Sequence, residues 1–177
     1  MEDKHILEKI DLALAELLAR DEFLLINDLS ERSISHKLAE YLQTQFPDYH
    51  VDCEYNGSAA NDYEKKKINI VWEQLAEAGL LHDREMELEG EVLIRSVFPD
   101  IIIHQRGSHD ENLCIIEIKK SSSAVDHKYD HIKLQAYTSS NLDNVLKYQL
   151  GVFIEIAIGD NPDSSISMLF KNGIPVD

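Results

Sequence analysis

The stretch Val97 to Lys120, VFPDIIIHQRGSHDENLCIIEIKK, constrains the fold of this chain more than any other. Two short β-rich runs, Ile101 to Ile103 and Leu113 to Ile118, flank the turn-forming string Gly107-Ser108-His109-Asp110-Glu111-Asn112, a pattern that predicts a β-hairpin. Side chains alternate along a strand, so Glu117 and Lys119 point to one side and Ile116, Ile118 and Lys120 to the other. Asp100 heads the first strand, so the hairpin gathers two carboxylates and one ammonium into a small volume.

Like charges at close range raise each other's pKa, and buried charges cost several kcal/mol unless offset. A divalent cation is the usual remedy. Mg²⁺ takes oxygen ligands, is commonly held by one or two carboxylates, and keeps waters for substrate phosphates. The alternative is a solvated hairpin on which Glu117 and Lys119 form a same-face surface ion pair.

Pro99-Asp100, sixteen intervening residues and Glu117-Ile118-Lys119 resemble the PD-(D/E)xK nuclease superfamily, which includes restriction endonucleases and Holliday-junction resolvases. Upstream, Asn27 to Leu42 is similar to the first helix of that superfamily, which often supplies a further acidic residue; Glu31 takes that role, with Glu54 as second choice. Downstream, DHIKLQAY from Asp130 to Tyr137 falls on the helix after the catalytic hairpin. Branches resembling the RecB nuclease domain carry a glutamine and a tyrosine four apart there; this chain has Lys133 and Tyr137, with Gln135 between. The resemblance spans roughly Ser30 to Ile158. It implies an α/β fold with a restriction endonuclease-like core, a mixed β-sheet flanked by helices. It also implies a Mg²⁺- or Mn²⁺-dependent nuclease acting on nucleic acid, DNA ahead of RNA. Asp100, Glu117, the Ile118 carbonyl and Glu31 would hold the metal, and Lys119 would position the attacking water. Arg106, Lys120, Lys133 and Gln135 are the expected substrate contacts.

Charge argues against that function. Thirty-three acidic against seventeen basic residues leave −16, whereas nucleic-acid binders usually carry a basic footprint. A nuclease needs only a local strip plus metal, and Lys65-Lys66-Lys67, Arg95, Arg106, Lys119-Lys120, Lys128 and Lys133 are the candidates. The competing function is a catalytically weak nuclease-like module that docks on a basic protein partner.

At 177 residues and 44% hydrophobic, the chain is expected to be one domain, residues 1–177, with residues 1–22 an N-terminal amphipathic helix. Ile6, Leu7, Ile10, Leu14, Leu17 and Leu18 form that helix's stripe, which either packs on its own domain or seams a homodimer. No apolar run approaches the ~20 residues of a membrane span, and Met1-Glu2-Asp3-Lys4 does not open a signal peptide, so a cytoplasmic protein without membrane contact is expected. Cys53 and Cys114 lack zinc-site spacing and read as reduced core residues.

Further expectations follow the patterning. Phe23 to Ile26 is an apolar linker or strand, and Asp28 or Ser30 caps a helix with Ile34, Leu38 and Leu42 buried, ending at Phe46-Pro47. His50 to Tyr55 is a half-buried strand and Asn56 to Asn61 a loop. Ile68, Val71, Trp72 and Leu75 mark a helix ending near Gly79, with Trp72 in the core; His82 to Gly90 is an acidic loop. His104 and Arg106 leave the first hairpin strand beside Asp100, Arg106 as a phosphate contact and His104 as a strand residue with the site as its alternative; Tyr148 to Ile158 is expected as a central strand and Ile166 to Phe170 as an edge strand.

Overall fold

In the computed structural model, which describes residues 1–57, 65–108 and 110–176, a six-stranded mixed sheet carries helices on both faces. The elements run α1 (Asp3–Arg20), α2 (Glu22–Ile26), α3 (Glu31–Gln45), β1 (His50–Cys53), β2 (Lys67–Val71), α4 (Trp72–Ala78), β3 (Val92–Ser96), β4 (Ile101–His104), β5 (Cys114–Lys120), α5 (Lys128–Thr138), β6 (Leu150–Ala157), β7 (Asp163–Lys171) and β8 (Ile174–Val176). The sheet order is β1-β4-β5-β6-β7-β8, and β2 pairs with β3 in a separate two-stranded sheet. Among the described residues only β5 and β6 pair in parallel, and the connection between them carries α5, as parallel neighbours require a crossover.

Alternation along β5 and β6 divides the interior into two cores. Ile116, Ile118, Val152, Ile154 and Ile156 face α1 and α3, where Ile6, Ile10, Leu17, Ile34, Leu38 and Leu42 meet them. Ile115 and Phe153 face α5 and the small sheet, against Leu134, Tyr137, Ile70 and Leu93. The stripe of α1 is thus consumed within its own chain. Ser30 caps α3, its Oγ accepting from Ser33 N–H at 3.2 Å, and β6 is near-continuously buried as expected for a central position, as are its sheet neighbours β4 and β5. Among the described residues, no helix is long and apolar enough to cross a membrane.

Four local expectations are corrected. Phe23 to Ile26 lies in the short helix α2, of which only Leu25 is buried, because four apolar residues in a row carry no period to separate helix from strand. Ile68 and Val71 belong to β2 and not to a helix: Ile68 and Ile70 alternate inward and pair with Arg95 and Leu93 of β3, a strand the sequence did not announce. Helix α4 begins only at Trp72, and Gly79 closes it in the left-handed region, φ 71°, where a residue without Cβ is unstrained. The edge after β6 is β8, with β7 internal to it. The expected loop at 56–61 falls partly, at 58–61, outside the described residues, as does His109 of the hairpin turn.

Candidate active site

The expected hairpin is present as β4 and β5, with Ile101 opposite Ile116 and Ile103 opposite Cys114. Strand β4 begins at Ile101, so beyond Ile116 the β4 side of β5 has no strand partner. Asp100 fills that gap: Ile118 N–H donates to Asp100 Oδ2 at 2.8 Å. In a strand, the N–H and C=O of one residue point to the same side. The Ile118 carbonyl therefore also faces the Asp100 side. Two residues on, Lys120 N–H donates to Glu31 Oε2 at 3.1 Å, which brings the first turn of α3 to the same edge. Asp100, the Ile118 backbone and Glu31 thus converge, although Glu31 lies 89 residues from Lys120 in the chain.

On the α5 face of β5, Glu117 is 1% exposed. Its Oε2 accepts from Lys133 Nζ at 2.7 Å, and its Oε1 is buried without a hydrogen-bond partner among the described residues. Asp130 joins the lysines: its Oδ1 lies 2.9 Å from Lys133 Nζ and its Oδ2 3.0 Å from Lys119 Nζ. Burial pushes the Glu117 carboxyl well above the usual carboxylate range, with Asp100 and Asp130 adding to the push and Lys133 opposing it. Burial likewise raises Asp100, against the Ile118 N–H bond and Lys133, while Glu31 and Asp130 raise it further. Burial works against the charge of Lys133, but Glu117 and Asp130 outweigh it and hold the ammonium charged. With every group ionised, four carboxylates (Glu31, Asp100, Glu117, Asp130) face two ammonium groups (Lys119, Lys133), a surplus of two negative charges.

That surplus, the orphaned Glu117 oxygen and the inward Ile118 carbonyl suit a divalent cation with hard oxygen ligands. The fit is to a cation that keeps much of its water: among the described residues, no three His, Cys, Asp or Glu side chains form a ready metal cage. A cleft of about 1300 Å³ between α3 and β1 leads to this edge, lined by Glu31, Asp52, Cys53, Glu54 and Asp100 among others. Glu54 sits in the cleft wall with its carboxylate on Arg32 at 2.8 Å, so Glu31 is the acid that reaches β5.

The expected substrate contacts disperse. Arg106 lies past His104, the far end of β4, which is itself about 13 Å of strand from Asp100 at ~3.3 Å per residue, and its side chain forks onto Asp52, its Nε at 2.8 Å. His104 is buried at that same far end, 3.0 Å from Asp52. His104 is thus the strand residue it was expected to be, while the expectation of Arg106 as a phosphate contact beside Asp100 is corrected, because its guanidinium is taken by Asp52. Lys120 Nζ is held by Asp28 at 2.7 Å and by the Leu29 carbonyl at 2.8 Å. Lys133 is 9% exposed and committed to Glu117 and Asp130. Gln135 lines a separate hollow with Asn69, Gln74 and Asn144, away from Glu117. Of the basic strip, Lys66 is buried and donates to the Tyr55 and Gly57 carbonyls, and Arg95 is buried against Glu85.

Asp130 is the site residue that sequence reasoning passed over. The only signal for it was its i,i+3 spacing to Lys133 on a helix that follows the hairpin. Tyr137, one turn further, is fully buried with its hydroxyl unpartnered among the described residues, and burial, with Glu117 adding to it, raises its pKa. Comparison of the chain with family models, with curated proteins and with solved structures returned no match in any of the three.

Proposed function

We propose that this protein is a metal-dependent phosphodiesterase acting on nucleic acid, DNA ahead of RNA. The observation that carries this reading is the buried Oε1 of Glu117, without a hydrogen-bond partner among the described residues, in a cluster of carboxylates next to Asp100. Asp100, Glu117 and the Ile118 carbonyl would hold Mg²⁺ or Mn²⁺, with Glu31 completing the acidic set from α3. The ion would supply activation of water at neutral pH and neutralisation of charge on the scissile phosphate.

The chain's own residues do the rest. Lys119 has three N–H donors and gives one to Asp130, which leaves others to orient the attacking water or to meet charge on phosphorus. Asp130 fixes the Lys119 side chain against α5. Asp100 anchors the strand end through Ile118 N–H, keeping its carboxylate at the carbonyl that would share the ion. With Arg106, Lys66 and Arg95 engaged elsewhere, the footprint on the nucleic acid is small, consistent with a net charge of −16. A footprint of that size gives weak intrinsic affinity.

The test is cleavage of labelled single-stranded and duplex DNA and RNA with Mg²⁺, Mn²⁺ or EDTA, beside Lys119→Ala. Metal-dependent cutting that the variant loses supports the reading and names the substrate class. Absence of cutting by folded protein turns the assignment to the docking module, whose acidic surface would seek a basic protein.

A further inference from the structure

We propose that Lys133 is a built-in competitor of the divalent cation, an inference that rests on the metal-site reading above. Its ammonium holds the Glu117 carboxylate until an arriving ion displaces it onto Asp130, so Lys133 and Asp130 together set the metal affinity.

The geometry for such an exchange is complete. Glu117 has one side-chain partner among the described residues, Lys133 Nζ at 2.7 Å on Oε2, and a bare Oε1. A buried carboxylate needs a cation, and in the absence of metal the ammonium is that cation. A divalent ion drawing on the same carboxylate meets the ammonium as a like charge in a site shielded from water, where repulsion is strong. The ammonium has a second acceptor already in hand, Asp130 Oδ1 at 2.9 Å, so it can release Glu117 without losing all its partners. Lys119 provides the contrast. It carries the same charge and also bonds Asp130, at 3.0 Å, but has no bond to Glu117. Charge alone would make the two lysines equivalent; displacement makes them different.

The experiment is calorimetric titration of the full, EDTA-treated chain with Mn²⁺ at fixed pH and salt, with circular dichroism to verify folding. The variants are Lys133→Met, Lys119→Met and Asp130→Asn; Met keeps the length of the lysine stem without its charge. Lys133→Met is expected to bind Mn²⁺ roughly tenfold tighter or more, Lys119→Met to gain clearly less, and Asp130→Asn to bind more weakly than wild type. Wild-type binding with Lys133→Met unchanged or weaker overturns the inference and leaves the metal site standing. Equal gains in the two lysine variants overturn it as well, since a diffuse charge effect then accounts for both. Should Lys133→Met fail to fold, Asp130→Asn decides by its sign: unchanged or tighter binding overturns the exchange. No Mn²⁺ binding by wild type or any variant overturns the nuclease site itself, and the exchange with it.

Discussion

Replacing Asp100 by Asn is expected to stabilise the metal-free protein at pH 8 while removing its metal binding. The amide oxygen of Asn can keep the bond from Ile118 N–H, now 2.8 Å to Asp100 Oδ2, so the change removes chiefly a charge. That charge feels repulsion from Glu31 and Asp130 against attraction by Lys133. At an effective dielectric near 20, each unit-charge neighbour at about 6 Å contributes about 3 kcal/mol. Two repulsions less one attraction leave about 3 kcal/mol, from which a weaker, neutral hydrogen bond subtracts about 1 kcal/mol. A net gain of about 1–2 kcal/mol, or about 2–8 °C in Tm for a domain of this size, is the expected result. Asp100 is raised in the folded state, so its neutral form is favoured there. The stability associated with the neutral carboxyl is fully present below the unfolded pKa near 4 and lost as pH rises through the folded pKa. The advantage of Asp100→Asn should accordingly vanish near pH 4 and grow to its full size above the folded pKa. Mn²⁺ at about 100 times its Kd should add about 2.7 kcal/mol to the wild type alone and reverse the order. Thermal melts at pH 4, 6 and 8, in EDTA and in Mn²⁺, provide the measurement. An Asn variant less stable than wild type at pH 8 in EDTA would refute the reasoning.

Lys119→Ala is expected to abolish cleavage with little loss of fold, because Asp130 retains Lys133 as its partner; cleavage at the wild-type rate in a labelled-DNA assay would remove Lys119 from the chemistry. Arg106→Gln should cost no more than about 1 kcal/mol, since the exposed side of that ion pair is screened, and should leave cleavage unchanged, because the Arg106 guanidinium is committed to Asp52 and not to the cluster of Asp100 and Glu117. Gly151→Ala in β6 is expected to destabilise by about 1–3 kcal/mol, as a Cβ there would stand 3.1 Å from Thr138 Cγ2 and 3.2 Å from Phe170 Cβ; urea unfolding measures it, and a neutral result would mean that α5 can retreat from the sheet.

Much of the architecture was legible locally. The stripe of α1, the Ser30 cap of α3, the β4-β5 hairpin with Glu117 and Ile118 on opposite faces, and the buried run of β6 all rest on periodicity or on a cap, which neighbours in the chain encode. The errors fell where a pattern was too short to have a period, as at Phe23 to Ile26, or where two readings shared the same apolar residues, as at Ile68 to Leu75. Strand β3 is not legible locally because the apolar residues of its partner β2 also fit a helix, and a two-stranded sheet exists only as a pair.

For the site, sequence by itself put Asp100, Glu117 and Lys119 on one hairpin, since the alternation of a strand and the return of a short polar loop are local geometry. Only the tertiary structure could bring Glu31 onto the Lys120 N–H across 89 residues, set Lys133 on Glu117, or make Asp130 a bridge between two lysines. It also carried Arg106 away from Asp100, because six residues that are near in sequence are far apart once extended. The physical reason is that backbone pattern specifies which face a side chain takes, whereas charge partners are chosen by the packing of α3 and α5 against the two faces of the sheet, through the many weak apolar contacts of two separate cores.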